Sequence, residues 1–294
     1  MLPITGLLKS VTAWIESEAS IKVAVIFGSS ARELNNPGPA DRWSDIDIQV
    51  VTTDVRGIEQ LNWKCILPEE KYCLQILRPA TGGVRKITVL FEAGQIDLVI
   101  IPASQLYMAR LAMFIGLQKY LGRLQTALNE IHASIRMGYR FVKGKDDWET
   151  FYEKIRAEMP GVRLTNSEAR NLADVFICEM LWIFQKLDRG ELSAAQRALH
   201  CSLAETNFRL LRELRLRNGG QLPSFGLARH VETILPSAEL AWVQVDARLT
   251  RSELRRATWN MLIGLTAIMM KLSSEWNVSP PMMALLSQFS ESDE

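Results

Sequence analysis

Strand-forming patterns are confined to the first half of this 294-residue chain, and that asymmetry limits the folds open to it. Short apolar, β-branched runs at 21–27, 46–51, 74–77, 87–91 and 96–101 predict strands, and 139–142 adds one more. Glu92, Ala93 and Gly94 form a tight hairpin between two of them. Leu7, Leu8, Val11, Trp14 and Ile15 recur at helical spacing and predict a first helix ending near Ala19. A second helical pattern runs over 105–136, broken near Gly116 or Gly122. Beyond Lys145 only helical patterns remain, at 167–189, 192–217, 226–248 and 250–273. Thr165 and Glu168 have capping-box spacing, and Asn218, Gly219 and Gly220 supply a helix stop. The expected fold class is therefore α/β: a mixed β-sheet domain over 1–145, followed by an all-α helical domain over 146–294.

Composition removes several classes of function. With 34 basic and 33 acidic residues the net charge is +1, and 48% hydrophobic content is that of an ordinary globular chain. Neither half carries the basic excess of a dedicated nucleic-acid binder. The longest apolar stretch, 259–272, is interrupted by Asn260 and Lys271 and falls short of the roughly 20 residues that span a bilayer, so no membrane association is expected. The amino end lacks the basic start and small-residue cleavage site of a secretory signal, and a cytoplasmic protein is expected. Cys65, Cys73, Cys178 and Cys201 stand at no metal-ligand spacing and read as reduced thiols. His132, His200 and His230 are the only histidines, so catalysis is expected to rest on carboxylates.

Those carboxylates occur in an ordered pattern: Phe27-Gly28-Ser29-Ser30-Ala31-Arg32, then Trp43-Ser44-Asp45-Ile46-Asp47-Ile48, then Ile96-Asp97-Leu98. Gly28 at a strand end allows close backbone approach to a ligand, and Ser29 adds a hydroxyl donor, so the pair can cradle nucleotide phosphates. Asp45 and Asp47, two apart on a strand, project to one face. Carboxylates that close repel one another, and a hard divalent cation relieves the repulsion. With Asp97 from another strand, the three acids predict a two-Mg²⁺ site for in-line attack on a phosphoryl group. Taken singly, each element has a blander explanation: a common turn, an exposed strand face, a hairpin acid. Their order and context favour the functional one.

This pattern resembles the DNA polymerase β-like nucleotidyltransferase superfamily. Gly138 to Asp146 (GYRFVKGKD), Leu164 to Glu168 (LTNSE), Phe176 followed by Trp182, and Leu187 to Leu192 (LDRGEL) are similar to the aminoglycoside 6-adenylyltransferase, or streptomycin adenylyltransferase, family. The resemblance covers most of 20–200 and implies ATP as co-substrate with Mg²⁺. It makes Asp45 and Asp47 metal ligands, Gly28 and Ser29 triphosphate binders, and Asp97 a third ligand or the base for the attacking hydroxyl. The implied reaction moves AMP to a hydroxyl of a small-molecule acceptor such as streptomycin, an activity of antibiotic resistance, with the helical domain shaping the acceptor pocket. Departures from the family at Gly144 and at Phe176 to Cys178 leave the acceptor open. Two alternatives stand beside this: a nucleotidyltransferase acting on a macromolecule, and a non-catalytic nucleotide-binding protein.

Weaker features fill out the expectation. Arg32 and Arg42 flank the motif within reach of triphosphate oxygens, with Arg32 the better placed, and Trp43 packs beside the loop or stacks a ring. Asp174 and Glu179 are candidate acids for a cationic acceptor, although a solvated face is the commoner role for each. Arg209, Arg212, Arg215 and Arg217, interleaved with leucines and interrupted by Glu213, read as a solvated helix face.

Overall fold

The structure, a computed structural model, describes residues 3–31, 44–80, 83–159, 163–220 and 231–280. It divides into two compact units, Met1–Val162 and Arg163–Glu294. No described helix is long and apolar enough to cross a membrane.

The first unit is built on a six-stranded mixed sheet of order β3-β4-β5-β2-β1-β6, comprising β1 (Ile21–Phe27), β2 (Ile46–Thr52), β3 (Tyr72–Pro79), β4 (Arg85–Phe91), β5 (Gly94–Pro102) and β6 (Arg140–Lys143). Every neighbouring pair is antiparallel except β2 and β5, which run parallel. That pair needs a crossover, and α2 (Val55–Glu59), α3 (Trp63–Ile66) and the β3–β4 hairpin supply it.

Both faces of the central strands are covered, which is why β1, β2 and β5 read as near-continuous apolar runs rather than alternating ones. On one face α1 (Pro3–Ser17) lays Leu7, Val11, Trp14 and Ile15 against Ile46, Ile48, Ile96 and Leu98, with Trp63 of α3 edge-on to Trp14. On the other face α4 (Ala103–Phe114), α5 (Gly122–Ile135) and α6 (Lys145–Glu158) pack on Val23, Val25, Val51 and Ile101. The long helical pattern over 105–136 is thus two helices, and the break expected near Gly116 or Gly122 falls between Phe114 and Gly122. Trp148, Phe151, Tyr152 and Ile155 of α6 are buried in the core of the sheet. For that reason the compact unit extends past residue 145 to Val162, where the sequence patterns alone set the boundary at the last strand.

The stretch GYRFVKGKD has an architectural role. Lys143 Nζ donates to the carbonyls of Ile15, Glu16 and Glu18, tying β6 to the exposed carbonyl end of α1. Gly144 sits in the left-handed region (φ 78°) with a Cβ position only 2.6 Å from the Lys22 carbonyl, so no other residue fits there.

The second unit is helical: α7 (Asn166–Asp188), α8 (Leu192–Ala198), α9 (Glu205–Arg217), the short α10 (Val231–Ile234) and α11 (Ser237–Leu240), and α12 (Arg251–Trp276). A six-residue π-helical segment, Leu199–Ala204, joins α8 to α9. The Thr165–Glu168 capping box forms with both reciprocal bonds. The expected helix over 226–248 does not form as one: residues 226–230 lie outside the described residues, Pro236 separates α10 from α11, and 245–249 are non-helical. Asn207 Nδ2 donates to Trp242 O (2.7 Å) and Met261 O (2.8 Å), and the Cα of Gly264 lies against the Trp242 backbone, so tertiary contacts fix this segment in place of helical ones. The arginine-rich α9 is also not a solvated face. Arg212 is buried and Arg209, Arg215 and Arg217 are half-buried. Buried Glu213 takes Arg163 and Arg217 as partners, and Arg215 pairs with Glu239.

Candidate active site

The site lies where β1 ends and β2 begins. Because β2 and β5 pair in parallel with Asp47 directly beside Asp97, two carboxylates stand side by side on one sheet face, and Asp45 joins them from just before β2. Adjacent strands are roughly 4.8 Å apart, so register alone dictates this closeness. One oxygen from each of Asp45, Asp47 and Asp97 lies within 4.8 Å of the others, a cluster that could hold a metal ion. Asp97 is buried, while Asp45 and Asp47 are half-buried.

Behind the acids the strand β1 runs into a single 3₁₀ turn, Gly28–Ala31. Residues 32–43, which follow this turn, lie outside the described residues. Gly28 is left-handed (φ 71°), and a Cβ there would stand 2.5 Å from Asp47 Oδ2. Gly28 therefore leaves room for the Asp47 carboxylate itself. Ser30 Oγ donates to the Asp45 carbonyl (3.2 Å), tying the turn to the start of β2. Ser29 Oγ is buried with no hydrogen-bond partner among the described residues, an unusual condition for a buried hydroxyl and one that a ligand oxygen would relieve. Three hard oxygen donors, a cleared backbone turn and an orphaned hydroxyl together suit a divalent cation with phosphate oxygens.

Three residues that the sequence did not single out complete the arrangement. Thr88 Oγ1 donates to Asp97 Oδ1 (2.6 Å) and is itself fixed by Arg78 Nη2 (2.7 Å). Lys86 Nζ lies 2.5 Å from Asp97 Oδ2 and 4.0 Å from Asp47 Oδ1. The alternation Lys86, Ile87, Thr88, Val89 marks a strand with one polar face, but only the pairing of Thr88 with Asp97 shows what that face meets. Deeper on the same face, Tyr152 OH donates to Gln49 Oε1 (3.0 Å), and burial pushes the Tyr152 phenol well above its usual range. This bond closes the polar stripe formed by Asp45, Asp47 and Gln49.

Other candidate residues fall elsewhere. Arg32, Arg42 and Trp43 lie outside the described residues. Asp174 accepts from Arg170 Nε (2.8 Å), one helical turn away, and Glu179 is half-buried on the same helix. All four cysteines are free and exposed. A cavity of about 390 Å³ in the helical unit, lined by Leu164, Ser167, Glu168, Asn171, Leu172 and Arg209, contains no acid cluster, and its Glu168 is engaged in the α7 capping box.

No protein-family profile and no curated protein matches the chain. Among solved structures, it is similar to an aminoglycoside 6-adenyltransferase from Bacillus subtilis at 12% identity, covering 97% of this chain and 95% of that one with a TM-score of 0.44. It is also similar to a nucleotidyltransferase-like protein from Exiguobacterium sibiricum at 10% identity, covering 99% of this chain and 81% of that one with a TM-score of 0.33.

Proposed function

We propose that the chain is a Mg²⁺-dependent nucleotidyltransferase that moves AMP from ATP to a hydroxyl of a small molecule, with an aminoglycoside such as streptomycin as the first acceptor to test. The observation that carries the reading is the in-register pairing of Asp47 and Asp97, which with Asp45 gathers three carboxylate oxygens within 4.8 Å beside the unpartnered Ser29 hydroxyl. Carboxylates gathered this closely repel one another, and a divalent cation would relieve that repulsion. The aminoglycoside assignment rests on the resemblance of segments such as GYRFVKGKD and LTNSE, and the assignment of acceptor selection to residues 146–294 belongs to the same proposal.

In this reading Asp45 and Asp47 would hold the divalent ion, which when bound supplies positive charge to the triphosphate oxygens. Ser29 Oγ donates to a phosphate oxygen, and Gly28 leaves its backbone open to close approach. Asp97 is held in place by Thr88 and Lys86 and still has a free lone pair on each oxygen. It accepts the proton of the acceptor hydroxyl as the new oxygen–phosphorus bond forms and the bond to the departing pyrophosphate breaks. The test is pyrophosphate release by the purified protein with Mg²⁺-ATP and a panel of streptomycin, other aminoglycosides and a lincosamide, using Asp45→Ala as the blank. Release with one or more acceptors that is lost in the blank is the expected result. ATP-independent silence across the panel, with no nucleotide bound, would overturn the reading.

A further inference from the structure

We propose that Lys86 is a built-in cation of the acid site, standing where a second divalent ion would bridge Asp47 and Asp97, so that the nucleotide-free protein takes one metal ion. The inference rests on reading the three acids as a metal site and deepens it. Lys86 Nζ contacts Asp97 Oδ2 and lies 4.0 Å from Asp47 Oδ1, between the two carboxylates that the parallel pairing sets side by side. A divalent ion bridging those residues would need the same lone pairs and would meet a like charge within a few Å.

The position of Lys86 follows from the sheet. It sits in β4 opposite Val99 of β5, two residues from Thr88, and its stem crosses the sheet face toward Asp97. Thr88 and Lys86 hold one oxygen of Asp97 each, and Arg78 fixes Thr88 in turn. This keeps Asp97 oriented within the acid cluster. The Lys86 ammonium offsets part of the carboxylate charge that a second divalent ion would otherwise relieve. Lys86 is thus a positioning residue for Asp97 and sets the ion count.

The test is Mn²⁺ binding to the full-length, nucleotide-free protein, with free Mn²⁺ counted by electron paramagnetic resonance. One ion is expected for the wild type. Lys86→Met should bind two, or bind the first about tenfold more tightly. Lys86→Arg should restore a single ion with wild-type affinity. Two ions in the wild type, no binding in either protein, or an unchanged count and Kd in a Lys86→Met protein with a wild-type circular dichroism spectrum would overturn the proposal. Should Lys86→Met not fold, Lys86→Gln takes its place. Pyrophosphate release separates this inference from the reaction: a protein that gains an ion on losing Lys86 but never turns over ATP keeps the ion count and loses only the proposed activity. A protein that turns over ATP but binds two ions keeps the activity and loses the role of Lys86.

Discussion

Asp97 in the sheet unit and Glu213 in the helical unit are buried to nearly the same degree, at 2% and 1% exposure, yet their surroundings are opposite in sign. Glu213 accepts from Arg163, Arg217 and the Leu164 N–H, so two guanidinium groups and a backbone donor enclose one carboxylate. Burial pushes that carboxyl up, but these donors more than offset it and hold it below the ordinary carboxylate range. Asp97 has one hydroxyl and one lysine, and two further carboxylates stand within 4.8 Å. A buried charge enclosed by its own partners has nothing left to bind, whereas one set beside its like, with fewer partners than the cluster has charges, leaves carboxylate oxygens that a cation from outside would stabilise further. The difference separates a bracing role for Glu213 from the binding role proposed for the acids.

Substitutions can break or sharpen that contrast. The largest effect is expected from Asp47→Ala, which should lower pyrophosphate release about 10³-fold while leaving the melting temperature unchanged or higher, because it removes a repelling charge. A clear drop in thermal stability would place Asp47 with the bracing groups instead. Glu213→Ala should do the reverse. It should destabilise the protein by about 3 kcal/mol in urea titrations, at the lower end for a broken buried pair because Arg163 is 40% exposed and can turn to solvent. Turnover per folded molecule should hold.

Gly28→Ala lies between the two regimes. The left-handed backbone and the 2.5 Å approach to Asp47 Oδ2 should cost about 1–2 kcal/mol and weaken Mn²⁺ binding, since either the turn or the carboxylate must move. Wild-type affinity would show that the turn does not shape the acid site. The smallest effect concerns pH. The folded Glu213 has a pKa below its ordinary 4.5, so its contribution is complete above that value and is lost as pH falls through the lower folded pKa. Below pH 4.5 the stability of Glu213→Gln should decline less steeply than that of the wild type. Parallel curves in denaturant melts would remove Glu213 from the account of acid sensitivity.

The strands, the α7 capping box and the three acids were legible in the sequence because each depends on short-range pattern: β-branched runs, a Thr–Glu spacing, a D-x-D on one strand face. The arginine-rich helix was misread because leucines and arginines at helical spacing look alike whether the arginines meet water or a buried glutamate. Only the return of Arg163 and Leu164 against Glu213, about fifty residues away in sequence, distinguishes them. Residues 226–248 failed as a helix for a related reason: contacts from Asn207 and Gly264 to Trp242 outweigh local propensity.

What the sequence by itself determined is the chemistry available: three carboxylates, a Gly-Ser turn at a strand end, and a sheet half followed by a helical half. What only the tertiary structure decided is which strands lie side by side. The parallel pairing of β2 with β5 puts Asp47 beside Asp97, and the antiparallel pairing of β4 with β5 brings Lys86 and Thr88 to them, where they hold Asp97 in place. Strand order and register are set by burial over the whole sheet. A shift of one residue would turn these side chains to the opposite face; the Glu92–Gly94 turn fixes the register of β4 on β5 locally, but the pairing of β2 with β5 joins segments about fifty residues apart.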